Sequence, residues 1–241
     1  MFGPQGGGAR PIPRSGLGYN PLLLLDEEYI EEIAAHHTGG HLKIAPEHVS
    51  DKVLNIMKKP GRAGCDEFAE RFTAASKRAG KEQYVVPYFI ASHPGSGVAE
   101  MIELAVYLKQ RGYKPRQVQD FIPAPMDIAA CMYWTGLDPM TKKPVEIVNK
   151  LRDRKVQRAL LQFFKPENYF AVHKALVDHG RRDLIGSGKL ALIPENPPRE
   201  ALEARRRAAE RDATYVHAED AGVSKTVGYR PGRKGRKKRS R

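Results

Sequence analysis

Residues 84–97, YVVPYFIASHPGSG, begin as an apolar, partly β-branched run and end in a Pro94-Gly95 turn, the pattern of a buried strand. Val98, Met101, Ile102, Ala105 and Val106 then recur at helical spacing, and Gly112 closes that run. Strand, glycine-containing turn and helix form one unit of a parallel α/β architecture. Upstream, residues 26–37 predict a short amphipathic helix with Tyr29, Ile30 and Ile33 on one face and acids in its first turn, stopped by Gly39-Gly40. Residues 41–45 predict a strand, and Ser50 is placed to cap a helix carrying Val53, Leu54 and Met57. Pro60-Gly61 breaks that helix, and Phe68, Phe72, Ala75 and Ala79 mark one face of the next. Residues 118–125 predict a third strand, terminated by Pro123 and Pro125. This is an open run of parallel β/α units, too short to close a barrel of about eight strands.

Beyond Trp134 the pattern turns helical. Pro144 suits the first turn of a helix with Val145, Val148 and Leu151 along it, and Val156, Leu160 and Phe163 or Phe164 continue the stripe. Pro166 opens another helix with Tyr169, Val172 and Leu176 buried and Gly180 at its end. Residues 185–193 predict a short extended piece, and 199–211 a charged, Ala-rich surface helix whose only large aliphatic residue is Leu202. Residues 1–19, rich in Gly, Pro and Arg and without periodicity, predict disorder. Four regions result: an irregular segment at 1–25, the β/α units at 26–135, a mainly helical region at 136–212 and a disordered basic tail at 213–241.

Composition narrows the picture. No run approaches the ~18 to 20 apolar residues needed to cross a bilayer, and Leu22 to Leu25 lacks the flanks of a signal peptide. Two isolated cysteines, Cys65 and Cys131, fit a reducing cytoplasm rather than a disulfide scaffold. The net charge of +13 is concentrated: residues 225–241 hold nine Lys or Arg and no acid, leaving +4 on the rest. The tail is therefore a candidate for phosphate neutralisation, whereas the folded part is only mildly basic.

In parallel α/β folds ligands meet the carboxyl ends of the strands, which places Ser92, His93, Gly95, Ser96 and Gly97 at such a position. Glu47, just before a helix start, could bind a ligand's hydroxyls or amine, or could simply cap that helix. His36, His37, His41, His48 and Glu47 form a local set, but no H-x3-H pair lies on a predicted helix with a third ligand, and no metal site is assigned. Ser92, His93 and Asp127 suggest a triad without a nucleophile elbow, and Ser96-Gly97 a phosphate loop without the full spacing. Cys131, among Ala129, Ala130 and Met132, is expected to pack as a small apolar residue.

The segments HLKIAPEHVSDKVLNIMKKPG (41–61), SHPGS (92–96) and FIPAPMDIAACMYWTGLDP (121–139) resemble, in order, the later strands of radical S-adenosylmethionine (SAM) barrels, especially the group that includes the tRNA methylthiotransferases. Residues 26–232 are more similar still to the carboxyl-terminal part of YgiQ-family radical SAM proteins. The resemblance implies a partial (β/α) barrel that holds a [4Fe–4S] cluster and SAM, followed by the family's own helical region. In such enzymes three cysteines in a CxxxCxxC loop hold the cluster, and reductive SAM cleavage yields a 5′-deoxyadenosyl radical that abstracts hydrogen. This chain contains no CxxxCxxC, and Cys65 and Cys131 are 66 positions apart. The expectation is a fragment of a radical SAM enzyme, inactive alone, with no cluster ligand assignable here. By the same resemblance Glu47 would meet SAM's polar groups, Ser92, Pro94 and Gly95 its adenine or methionine portion, and Pro123, Ala124 and Pro125 would line the last-strand side. The alternative is a nucleic-acid-binding protein acting through the basic residues between Arg230 and Arg241.

Overall fold

The computed structural model describes residues 26–59 and 61–214. The expectations for residues 1–25, for Pro60 and for the basic tail beyond residue 214 lie outside the described residues. The chain is a mixed α/β structure built on a parallel three-stranded sheet in the order β1-β2-β3. Strand β1 is His41–Glu47, β2 is Tyr84–Ala91 and β3 is Gln119–Asp120.

Helix α1 (Glu27–Glu32) starts where the Asp26 carboxylate accepts a hydrogen bond from the Tyr29 N–H at 3.0 Å. It widens into a π-helical turn, Ile33–His37, so the second half of the expected helix is not α-helical. In β1 the residues Leu42, Ile44 and Pro46 are buried and alternate with more exposed ones. Leu42 and Ile44 meet Ile30 and Ile33 and the Cys65, Phe68, Phe72 and Ala75 face of α3 (Arg62–Arg78), forming a smaller core. Buried Gln83 ties this unit together: its amide donates to the Ala34 and Thr38 carbonyls, and its oxygen accepts from the Ser76 hydroxyl. Helix α2 (Asp51–Ile56) has Ser50 at its N-cap as expected, but the Ser50 side chain makes no capping bond.

Strand β2 is central and has two faces. Phe89 and Ala91 join the larger core, together with Met101, Ile102, Leu104 and Leu108 of α4 (Val98–Arg111). Val86, Tyr88 and Ile90, on the alternate face, are only half-buried. The larger core continues through Leu160 and Leu161 of α6 (Leu151–Leu161) and Val172 and Leu176 of α7 (Tyr169–Asp178). A 3₁₀ turn, Pro166–Asn168, precedes α7 as its proline suggests.

Three expectations change in the region after α4. The third strand is two residues long rather than eight, because Pro123 and Pro125 lack the N–H that would extend its ladder. Residues 128–135, where the pattern predicts no element, form helix α5 (Ile128–Thr135), which begins where the Asp127 carboxylate accepts the Ala129 N–H. On it Cys131 is exposed and Met132 buried, so the expected packing of Cys131 is corrected: the inward face takes the longer side chain. Pro144 does not open a helix. It forms an isolated antiparallel bridge with Leu137, the Val145 N–H donates to the Gly136 carbonyl, and the helix waits until Leu151.

Ile185 and Ile193 are joined by an isolated parallel bridge, the trace of the expected extended piece. Helix α8 (Arg199–Thr214) buries Ala201 and exposes Leu202, as a surface helix does. No helix of the described residues is long and apolar enough to cross a membrane.

Candidate strand-end site

The carboxyl ends of β1 and β2 share a polar cluster, which the end of β3 meets through the ring contact of His93 with Phe121. Glu47 ends β1 beyond an irregularity in its pairing, with a left-handed φ of 66°. Its carboxylate pairs with Lys59 at 2.9 Å, and the same ammonium donates to the Ala45 carbonyl at 2.9 Å. Glu47 therefore does not cap α2; its charge is already shared.

His48 is buried next to it. Its Nδ1 accepts the Ser50 N–H at 3.0 Å, so in the neutral ring the proton sits on Nε2. Nε2 faces Ser96 Oγ at 3.4 Å and can only donate to it. A histidine so protonated cannot take a proton from Ser96, which removes a Ser–His nucleophile from consideration. Burial holds the His48 pKa down at about 4, with the Glu100 carboxylate opposing and His93 adding to the depression.

The turn after β2 is the most constrained segment. Ser92 has φ 63°, rare for a residue with a side chain, and is buried. Its N–H donates to Gln157 Oε1 at 2.7 Å, while its hydroxyl, also buried, has no partner. His93 Nδ1 lies 2.8 Å from the Pro94 carbonyl and must donate to it, which leaves Nε2 as a free acceptor. Burial lowers the His93 pKa, opposed by the Pro94 carbonyl and by Glu47 and Asp127. The ring packs edge-on against Phe121, centroids 5.2 Å apart.

The glycines answer to the protein itself. Gly95 has φ 85°, and a Cβ there would run into Ile56 Cδ1. A Cβ on Gly97 would sit 2.6 Å from a Glu146 carboxylate oxygen. The Gly97 N–H is held by Glu100 at 2.9 Å, and Lys52 bridges Glu100 (2.7 Å) and Glu146 (3.7 Å). Two carboxylates thus occupy the start of α4, which leaves no room for the phosphate considered at Ser96-Gly97.

On the β3 side, Pro123 is half-buried and Ala124 and Pro125 are exposed. They stand amid large exposed apolar residues: Ile122 (72%), Met126 (105%) and Trp134 (77%). Asp120 places one oxygen 3.3 Å from Arg158 and buries the other without a partner. The expected site residues thus fall into a β1 group (Glu47), a β2 group (Ser92, Pro94, Gly95) and a β3 group (Pro123, Ala124, Pro125), each at a strand end. A separate cavity of about 600 Å³ between α6 and α7 is lined by Leu151, Val156, Ala171, Lys174 and Ala175, with Val98 of α4 on its wall.

Asp127 caps α5, His93 Nδ1 donates to the Pro94 carbonyl and the Ser92 hydroxyl has no partner, so the Ser92–His93–Asp127 triad does not form. Among the described residues no group of three His, Cys, Asp or Glu side chains could hold a metal ion. Gln157 was not anticipated. Its signal was a polar residue at helical spacing from Leu160 and Leu161, fully buried inside an amphipathic helix.

The family model described as "Domain of unknown function (DUF3362)" matches residues 116–240. Among curated relatives, a UPF0313 protein of Clostridium botulinum (strain 657 / Type Ba4) is 45% identical over 184 residues, 76% of this chain and 29% of the relative. A UPF0313 protein of Methanosarcina mazei is 47% identical over 178 residues, 74% of this chain and 28% of the relative. One of Clostridium perfringens is 46% identical over 181 residues, 75% of this chain and 27% of the relative. The chain thus spans about 29% of the length of the curated relatives it matches.

Proposed function

Because this chain belongs to the DUF3362 domain family and is homologous to UPF0313 proteins, we propose that it forms the later strands of a radical SAM barrel with the helical region that follows them. In this reading the ends of β2 and β3 are the surfaces SAM meets. The resemblance to YgiQ-family radical SAM proteins motivates it. A parallel sheet with one half-buried face, as at Val86, Tyr88 and Ile90, is what a partial barrel leaves. The observation that carries it is Ser92, whose hydroxyl is buried at a strand end without a partner. An unsatisfied buried hydroxyl is destabilising unless something else bonds to it.

SAM fits these residues in part. Ser92 can bond a ribose or amino group, His93 Nε2 is free to accept a second hydrogen bond, and Pro123, Ala124 and Pro125 offer an apolar wall. Glu47 contributes only what Lys59 leaves of its charge. The chemistry that SAM supplies in such enzymes is a 5′-deoxyadenosyl radical; the residues here bind and orient.

A [4Fe–4S] cluster does not fit the described residues. Cys65 is buried in α3 with its thiol pushed up to about 11 by burial, and Cys131 stands exposed on α5. No step through a cluster is assigned to this chain.

Equilibrium dialysis with SAM tests the reading. The chain should bind SAM saturably, and Ser92→Ala should weaken it about tenfold, the value of one good hydrogen bond. Absence of saturable binding at millimolar SAM, or wild-type affinity in Ser92→Ala, overturns it. A second reading, nucleic-acid binding in the cytoplasm, is favoured by the nine basic residues of 225–241, and deleting them should abolish a salt-sensitive RNA affinity.

A further inference from the structure

We infer that the DUF3362 region is a clamp that sets the shape of the β2 turn, with Gln157 as its positioning residue. This rests on the reading that the turn meets a ligand.

Among the described residues, apart from the His48–Ser96 contact, the hydrogen bonds that fix the ends of β2 and β3 from outside the sheet come from a short piece of that region. Gln157 Oε1 accepts the Ser92 N–H at 2.7 Å, and its Nε2 donates to the Ser96 carbonyl at 2.6 Å. The Gly95 N–H donates to the Glu146 carbonyl at 2.8 Å. Arg154 donates to the Phe121 carbonyl at 2.9 Å, and Arg158 pairs with Asp120. All four residues lie within the matched stretch, 116–240.

The chemistry of Gln157 is specific to the task. A backbone N–H can only donate and a carbonyl only accept, so the two ends of the turn need one acceptor and one donor on a single rigid group. A carboxamide supplies both, which also fixes which of its atoms is oxygen. Neither a carboxylate nor an aliphatic side chain can replace it. Because Gln157 is fully buried, no water can stand in.

The clamp also explains how Ser92 keeps its left-handed φ of 63°. Such a conformation persists only where its surroundings over-determine it. Bonds at both ends of the turn do that, and they hold the unpartnered Ser92 hydroxyl in place.

Two variants test this. Gln157→Glu retains the acceptor for Ser92 but, when ionised, sets an anionic oxygen against the Ser96 carbonyl. When protonated, its O–H donates there and restores both bonds. Burial raises the pKa of the introduced carboxyl. Affinity for SAM, taken as the ratio to wild type at each pH, should therefore be near one at pH about 5 and fall about tenfold towards pH 8. Gln157→Met, which packs but bonds to neither end, should be weakened at every pH.

The backbone provides a second readout that needs no ligand. In Gln157→Met the Ser92 amide should lose hydrogen-exchange protection while amides of α4 keep theirs, whereas in Gln157→Glu, which keeps an acceptor for the Ser92 N–H, it should stay protected. Wild-type SAM affinity in both variants, or a pH-independent defect in Gln157→Glu, overturns the clamp. If wild type binds no SAM but the Ser92 amide behaves as stated, the clamp stands and the SAM reading fails.

Discussion

The ends of β1 and β2 lie side by side yet are held by opposite means. At the end of β1 the partners are local: the Ser50 N–H on His48 is two residues away, and Lys59 on Glu47 is twelve. At the end of β2 they are remote, since Gln157 lies 65 residues beyond Ser92. The first turn can form as soon as its own β/α unit forms. The second needs α6 docked on α4, so its shape reports on the helical region as well as the strand. A ligand site on the β2 turn would thereby be coupled to the DUF3362 region directly, and one on the β1 turn only through the contact of His48 with Ser96.

The sharpest way to break this contrast is to damage each core separately. Phe72, fully buried beneath β1 in the smaller core, and Leu160, fully buried in the larger one, are the levers. Phe72→Ala should cost about 3–5 kcal/mol and Leu160→Ala about 2–5 kcal/mol, measured by urea unfolding. Under native conditions, exchange at the Ser92 amide should accelerate in Leu160→Ala more than in Phe72→Ala. The reverse order would show that the β2 turn is built locally.

That division also governs what could be read from the chain alone. The helix after Gly97 and the strand at 84–91 were legible because periodicity and turn residues act within a few positions. Parallel pairing followed from the strand–helix alternation. The third strand came out too long because apolar residues such as Phe121 and Ile122 extend a strand pattern even where prolines forbid its ladder. Helix α5 was hidden behind the same prolines. That Glu47, Ser92 and Gly95 lie at strand ends was legible from their position after the apolar runs. Gln157 was not, because its role arises from a contact made across 61 to 65 residues, and one glutamine on a helix face looks like surface. Cys131 was misplaced because small apolar neighbours do not tell which side of a helix faces inward.

Acid should separate the two turns next. His48 is neutral in the fold, with burial holding its pKa at about 4 against a usual 6.5. The unfolded chain therefore takes up the proton first. The stability conferred by keeping His48 neutral is fully present above pH 6.5 and is lost as pH falls through about 4. A shift of that size corresponds to about 3 kcal/mol at the acid end. His93 titrates in the same direction, its burial outweighing its acidic neighbours. Comparing wild type with His48→Gln across pH 4 to 7 isolates the β1 contribution: the variant should lose less stability on acidification. Parallel pH profiles would mean that His48 is more solvated than its packing indicates.

Ser92 offers a smaller effect of opposite sign. Ser92→Gly removes both a strained φ and a buried hydroxyl without a partner. The fold should gain about 1 kcal/mol in urea unfolding, while SAM affinity falls. A stability gain paired with a binding loss is the mark of a residue kept for a ligand. A stability loss instead would mean that the hydroxyl is satisfied by bound water.

The least disruptive change is at the Glu47–Lys59 pair. Both side chains are about a quarter exposed (25% and 24%), so solvent screens the attraction and the pair should contribute at most about 1 kcal/mol. Lys59 also donates to the Ala45 carbonyl, a bond that would go with it. Lys59→Met should thus lower stability by about 1 kcal/mol in all, and the loss should shrink in high salt for the ionic part alone. The same variant frees the Glu47 carboxylate. If Glu47 meets SAM's cationic groups, an unpaired carboxylate should tighten SAM binding even as the fold weakens slightly. Unchanged affinity would leave Glu47 as a structural partner of Lys59, and the ligand surface would then belong to β2 and β3.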